Sequence, residues 1–143
     1  QILQSCLAKN SLSGERIVIE ITERTMLDDI DNTLERMRQL RDMKVRISID
    51  DFGTGYSSLA YISKLPIDQL KIDQSFINTI GIEKSTVIDA IFSIAKSLHL
   101  EVIAEGVETQ AQFEYLQHQQ CDGYQGYLFA YPMEAKELSK LLA

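Results

Sequence analysis

The sequence predicts an α/β fold, a parallel sheet of about five strands with helices covering it. Three observations carry that reading. Short segments rich in Val and Ile alternate with amphipathic stretches along the whole chain, and such alternation builds parallel sheets through right-handed crossovers. Nearly every short apolar run stops at an ionisable or polar residue. With two Pro and seven Gly in 143 residues, no linker or low-complexity stretch divides the chain, so it reads as one domain.

The elements follow in order. Residues 1–9 place Ile2, Leu3, Cys6 and Leu7 at helical spacing. Asn10 to Gly14 is a turn cluster, and Arg16–Glu20 reads as a buried strand. From Asp28 to Met43, the apolar residues Ile30, Leu34, Met37, Leu40 and Met43 recur in helical steps. Asp28, Asp29 and Asp31 would be charges at that helix's N-terminus. Val45–Ile49 is the second strand. Asp50 to Tyr56 is a glycine-bearing loop, followed by a short helix up to Lys64. Pro66 precedes a third strand, Asp68–Ile72. The helix Lys84–Leu98 turns Val87, Ile88, Ile91, Phe92, Ala95 and Leu98 to a core. Leu100–Ala104 is the fourth strand. Thr109 is placed as the N-cap of a helix through Gln119. Gly123–Gly126 is a short fifth strand, and Glu134–Leu142 closes the chain as a helix.

Composition bounds the function. A net charge of −7 argues against a groove for a nucleic-acid polymer, which needs a basic surface. An anionic small molecule stays open, because a bound cation can neutralise clustered carboxylates. No apolar run reaches the ~20 residues of a membrane span, and no signal-peptide pattern opens the chain. Cys6 and Cys121 lack the spacing of a metal knuckle or a redox pair. They read as reduced core thiols of a cytoplasmic protein.

The strand ends carry the chemistry. Glu20 ends the first strand, Asp50 and Asp51 the second, Lys71 and Asp73 the third, and Glu105 the fourth; Gln125 lies on the fifth. In parallel α/β folds these ends share one face, where barrel active sites lie. One carboxylate after a strand is usually a cap or a solvated loop residue. Five such residues in one register point to a site. Glu20, Asp50, Asp51 and Glu105 together repel one another unless something positive binds them. Divalent cations with a taste for oxygen, Mg2+ or Mn2+, are the natural partners. Adjacent aspartates can direct ligands to two ions, an arrangement suited to phosphodiester hydrolysis. Lys71 would add a fixed positive charge that holds a phosphate oxygen or the attacking water. On spacing alone, Glu23 and Glu108 suit either first-turn helix charges or supports behind the ligands. The loop Phe52, Gly53, Thr54, Gly55, Tyr56 lacks the third glycine or the lysine of a nucleotide-binding loop; its glycines permit a tight turn. His99 and His118 read as ordinary helix or surface residues.

These strings resemble a known family. Ile19-Glu20-Ile21-Thr22-Glu23, the run from Asp50-Asp51-Phe52 to Ser57-Ser58-Leu59, Leu70-Lys71-Ile72-Asp73, Ile103-Ala104-Glu105-Gly106-Val107-Glu108-Thr109 and Gln125-Gly126-Tyr127 resemble the EAL domain, in order and over essentially the whole chain. The resemblance implies a partial TIM-like (β/α) barrel that hydrolyses cyclic di-GMP to the linear dinucleotide pGpG with Mg2+ or Mn2+ at a two-metal site. Glu20 and Asp50 then resemble metal ligands, with Asp50 shared between two ions, and Asp51 a ligand of the second. Lys71 and Glu105 resemble the pair that positions and deprotonates the attacking water. Glu23 resembles the residue that anchors the loop beginning at Asp50. Asp73, Glu108 and Gln125 match further active-site positions.

Some family features are absent. The Glu-Ala-Leu signature and the strand supplying an Asn ligand do not occur, and Ala130-Tyr131-Pro132 stands where Ser-Lys-Pro is common. A full barrel takes ~250 residues. Residues 1–143 are therefore expected to be the C-terminal portion of a single EAL domain without its N-terminal strands, inactive alone. A homodimer or swapped oligomer is expected, because the loop and its following helix resemble the family's dimer contact and unpaired edges invite partners. GGDEF or sensory domains are expected companions, and the parent could be membrane-tethered. Two other readings stay open: a degenerate receptor that binds cyclic di-GMP without cleaving it, and an enolase-like lyase. The adjacent Asp50-Asp51 pair favours phosphoryl chemistry over the lyase.

Overall fold

The structure, a computed structural model, describes residues 2–28, 30–54, 59–82 and 85–142. The order is α1 (Ile2–Lys9), a 3₁₀ turn at Gly14–Arg16, β1 (Val18–Thr22), α2 (Glu23–Asp28), α3 (Ile30–Asp42), β2 (Arg46–Phe52), α4 (Leu59–Ile62), β3 (Gln69–Ile72), α5 (Gln74–Ile77), α6 (Thr86–Leu98), β4 (Glu101–Glu105), α7 (Gln110–His118), β5 (Gly123–Gln125) and α8 (Ala135–Leu141). All five strands form one sheet in chain order, β1-β2-β3-β4-β5, and every neighbouring pair is parallel. The sheet is open, with β1 and β5 at its edges. It is a partial barrel of the expected α/β class.

Alternate side chains of a strand face opposite sides, and here the two sides differ sharply. One side carries Ile47, Ile49, Leu70, Ile72, Val102 and Ala104, none more than 3% exposed. Met37 of α3, Ile88, Ile91 and Ala95 of α6, and Leu116 of α7 complete that core. Each of these Val, Leu, Ile and Met side chains contributes about 1.5–3 kcal/mol by leaving water. The other side is mostly polar, with Glu20, Arg46, Ser48, Asp50, Gln69, Lys71, Glu101, Glu105 and Gln125 beside Val18 and Ile103. At its lower end, where the strands begin, Arg46 pairs with Glu101, and Gln69 Nε2 donates to Glu101 Oε2 at 3.3 Å. The polar groups of the upper end form the candidate site.

Several expectations need correction. β1 runs on to Thr22, so Glu20 lies within the strand, and it is an edge strand rather than a buried one, with Val18 39% exposed. β2 continues through Asp50 and Asp51 to Phe52. The expected helix from Asp28 to Met43 is α3, Ile30–Asp42, and a separate short helix, α2, precedes it, so that Asp28 ends α2 instead of opening α3. α1 forms but buries none of its residues, and Cys6 is exposed rather than a core thiol. Spacing fixes which residues share a helix face, not whether that face meets a core. Val87 points outward at 51% exposure while Ile88 and Ile91 make the contact. α5 went unforeseen, because four residues are too few to show a period. Asp29, Gly55, Tyr56, Ser57, Ser58 and Lys84 lie outside the described residues. No helix among the described residues is long and apolar enough to cross a membrane.

Candidate functional site

Lys71 is the centre of the site. It sits next to last on β3, the middle strand, and is 5% exposed. Its Nζ lies 2.6 Å from Glu105 Oε1, 3.0 Å from Glu20 Oε2 and 3.1 Å from Asp50 Oδ1. Three strands, β1, β2 and β4, thus each deliver one carboxylate to the same ammonium. Burial works against the charge on Lys71, but Glu105, Glu20 and Asp50 more than offset it and hold the pKa above the usual lysine value. One cation facing three carboxylates leaves an excess of negative charge that further cations can balance.

Asp51 joins this cluster through a break in the strand. Consecutive residues of a regular strand face opposite sides. Between Ile49 and Phe52, however, the pairing of β2 with β3 shifts register, and Asp51 takes φ +53°. This is a β-bulge, which re-aims one side chain. Phe52 returns to the apolar side opposite Ile72. Oxygens of Asp50, Asp51 and Glu105 consequently lie within 4.8 Å of one another, the one such grouping among the described residues. Partial burial, then the charges of Asp50 and Asp73, push the Asp51 carboxyl above its usual range, with Lys71 opposing. Asp50 Oδ1 is buried, and Lys71 Nζ at 3.1 Å is the one polar partner it shows among the described residues. A buried carboxylate oxygen with spare acceptor capacity, beside two others, fits a hard divalent cation.

The loop leaving β2 is held from two sides. Glu23 opens α2, is 2% exposed, and its Oε2 accepts from Gly53 N at 3.1 Å. Gly53 has φ +95°, and a Cβ there would stand 3.1 Å from the Phe76 ring. Thr54 Oγ1 donates back to Asp51 O at 2.8 Å. Glu23 is therefore both a first-turn residue and a loop support, so the two readings of its spacing hold together.

Beside Glu105 opens a cavity of ≈ 450 Å³, lined by Asp73, Gln74, Glu105, Gly106, Glu108, Gln125, Gly126, Tyr127, Ala130, Tyr131 and Pro132. Asp73 also caps α5, accepting from Ser75 N at 3.0 Å. Glu108 is exposed, and its N–H is held by Gln112. The exposed rings of Tyr127 and Tyr131 stack with centroids 4.5 Å apart. The structure thus gathers Glu20, Asp50, Asp51, Lys71 and Glu105 into one cluster and lines the adjoining cavity with Asp73, Glu108 and Gln125. Sequence reasoning missed the tyrosine pair and Gln112. The four-residue spacing of the tyrosines was the available signal, since one turn brings Ala130 N back to Gly126 O. His99 caps the end of α6 and His118 lies in the last turn of α7. Both border a separate opening where β4 begins, away from the carboxylates.

Comparison with known proteins gives a consistent picture. The family model described as EAL domain matches residues 1–132. The chain is 43% identical over 138 residues to the bifunctional diguanylate cyclase/cyclic di-GMP phosphodiesterase MucR of Pseudomonas aeruginosa, covering 95% of this chain and 20% of that protein. It is 42% identical over 142 residues to the cyclic di-GMP phosphodiesterase NbdA of the same organism, covering 98% and 18%. The chain therefore spans about a fifth of these relatives' length. The solved structure of the MucR phosphodiesterase in complex with c-di-GMP superimposes with a TM-score of 0.91 over 95% of this chain and 56% of that one. A manganese/cy-diGMP complex of Klebsiella pneumoniae BlrP1 matches at 29% identity, with a TM-score of 0.85 over 92% of this chain and 34% of that one.

Proposed function

Because this chain belongs to the EAL domain family, we propose that the protein carrying it hydrolyses cyclic di-GMP to pGpG with Mg2+ or Mn2+. The observation that carries the proposal is the meeting of Glu20, Asp50 and Glu105 on Lys71, with Asp51 brought beside them by the bulge. Relatives described as phosphodiesterases, and complexes with the dinucleotide, support the same reading.

Glu20, Asp50 and Asp51 would hold the cations. Bound there, divalent ions would stabilise charge developing on the phosphodiester oxygens. The protein's own groups divide the remaining work. Lys71 presents its ammonium to Glu105, Glu20 and Asp50. It can therefore orient a water or a phosphate oxygen by donating to it. Glu105, at 2.6 Å from Lys71, would accept the proton as the water attacks. Glu23 keeps the Asp51 loop in place through Gly53. The cavity wall suits a nucleotide: Tyr127 and Tyr131 offer aromatic faces for stacking, and Asp73, Glu108 and Gln125 offer acceptors for base or ribose donors.

We take residues 1–143 as the C-terminal portion of one EAL domain, in keeping with the 56% of the MucR structure that they cover. We further propose self-association through the loop and helix after Asp51. The deciding experiment follows pGpG formation by the intact protein with Mg2+, with Mn2+ and with chelator. Turnover that needs the cation is expected. Binding of cyclic di-GMP without turnover under any cation would refute the proposal.

A further inference from the structure

We propose that Gln112 is a positioning residue that ties together the two walls of the nucleotide cavity, an inference resting on the phosphodiesterase reading above. Gln112 is a buried polar side chain, 7% exposed, in the first turn of α7. Its Oε1 accepts from Glu108 N at 2.8 Å and from Thr109 N at 2.9 Å. With Thr109 Oγ1 accepting from Gln112 N, this makes a capping box, which accounts for a Gln or Glu at this position.

The amide's other end has no part in the cap. Gln112 Nε2 donates to Ile77 O at 3.3 Å, across 35 residues of sequence. Ile77 is the last residue of α5, which Asp73 caps and Gln74 opens, both of them in one cavity wall. The segment bonded to Oε1 carries Glu105 and Glu108 of the facing wall. The two walls also touch at Gly106, where a Cβ would stand 2.3 Å from Gln74 Cγ. They therefore meet at Gly106 and are pinned at Gln112. A side chain that accepts at one end and donates at the other is needed for this, and only an amide of this length supplies both here. The separation of Glu108 from Asp73, and hence the fit of the dinucleotide, is set by that bridge.

Two substitutions in the intact protein separate bridge from cap. Gln112→Glu keeps the accepting oxygens and the capping box but loses the donor to Ile77. Thr109→Ala weakens the cap and leaves the Gln112 side chain alone. The expected result is a KM for cyclic di-GMP raised about tenfold, roughly 1.4 kcal/mol, in Gln112→Glu. In Thr109→Ala the melting temperature falls and KM stays within about twofold, since a lost cap costs stability. An unchanged KM in Gln112→Glu, or an equal rise in Thr109→Ala, would overturn the inference. Amide exchange gives a second readout that needs no turnover. Faster exchange in residues 74–77 and 105–109 of Gln112→Glu supports the bridge, and unchanged exchange overturns it. Absence of turnover in the unsubstituted protein would defeat the phosphodiesterase reading alone, leaving exchange to decide the bridge.

Discussion

Asp50 and Asp51 are neighbours in the chain, yet their carboxylates converge instead of straddling the sheet. The bulge at Asp51 brings them, with Glu105, within 4.8 Å. The close approach has a cost that cations would relieve, because like charges resist shared ionisation.

In the intact protein, Asp50→Asn is expected to lower turnover about a hundred- to a thousandfold, the range found when one charge-stabilising group is lost. Folding should survive, because Asn keeps the shape. The unsubstituted protein should gain about 2.7 kcal/mol of stability at a cation concentration a hundred times its Kd. Melting curves with and without Mn2+ check this, and an equal Mn2+ shift in Asp50→Asn would sink the assignment.

Lys71 and Asp51 give opposite pH signatures. Lys71 is raised above 10.5 in the folded state, so its contribution is complete below pH 10.5 and fades as pH climbs through the folded value. Lys71→Met should cost about 3 kcal/mol near neutrality by leaving the carboxylates unpaired. Acid or divalent cations should recover part of that loss. Asp51 is raised above 3.8, so its ionised form costs stability above the folded value, and that cost disappears as pH falls towards 3.8. Asp51→Asn should therefore melt slightly higher at pH 7 without cations and respond less to them. Melting series from pH 4 to 11 are the check.

Glu23→Ala removes the carboxylate that accepts from Gly53 N–H. The loop should loosen, and activity should fall about a hundredfold, the penalty of displacing a catalytic group by ~1 Å. Exchange of the Gly53 amide should rise in parallel. Lost activity with unchanged exchange would give Glu23 a direct role instead.

The cysteines differ in a way that a thiol reagent reads directly. Burial pushes the Cys121 thiol up to about 11, so only ~0.1% is thiolate at pH 8. Cys6 is exposed. One thiol should react quickly in the native protein and the second only in denaturant. Two fast thiols would contradict the packing of Cys121 against Val102 and Gly123.

Much of this was legible in the sequence. β3, β4, α6 and α7 follow from alternation, helical period and the Thr109 cap, which are local signals. The meeting of Glu20, Asp50, Lys71 and Glu105 followed from strand ends sharing a face. The bulge was not legible, since adjacent aspartates at a strand end do not say which side each will face. The bridge from Gln112 to Ile77 was equally hidden. The Thr109–Gln112 spacing announces a capping box, but nothing local announces a partner 35 residues away. Cys6 shows the same limit in reverse, a helical face whose spacing was right and whose burial was not.

The 143-residue chain purified alone should self-associate and show no turnover. Both edges of the sheet are open, and open edges recruit other strands. Sedimentation and a pGpG assay check this. A monomer turning over roughly once per second or faster, as ordinary enzymes do, would overturn it.

The identity of sheet order and chain order has a consequence for how the molecule comes apart. Each strand bonds only to its nearest neighbours in sequence, so the sheet can unzip from either side, much as a stack of repeats does. β5 has three residues, and among the described residues β4 is the one strand it pairs with. It should open first, by a local fluctuation far cheaper than global unfolding, carrying Gln125 away while Lys71 stays clasped between β2 and β4. Amide protection should accordingly peak on β3 and decline outward, making the nucleotide wall the most labile part of the site and the ammonium its most durable.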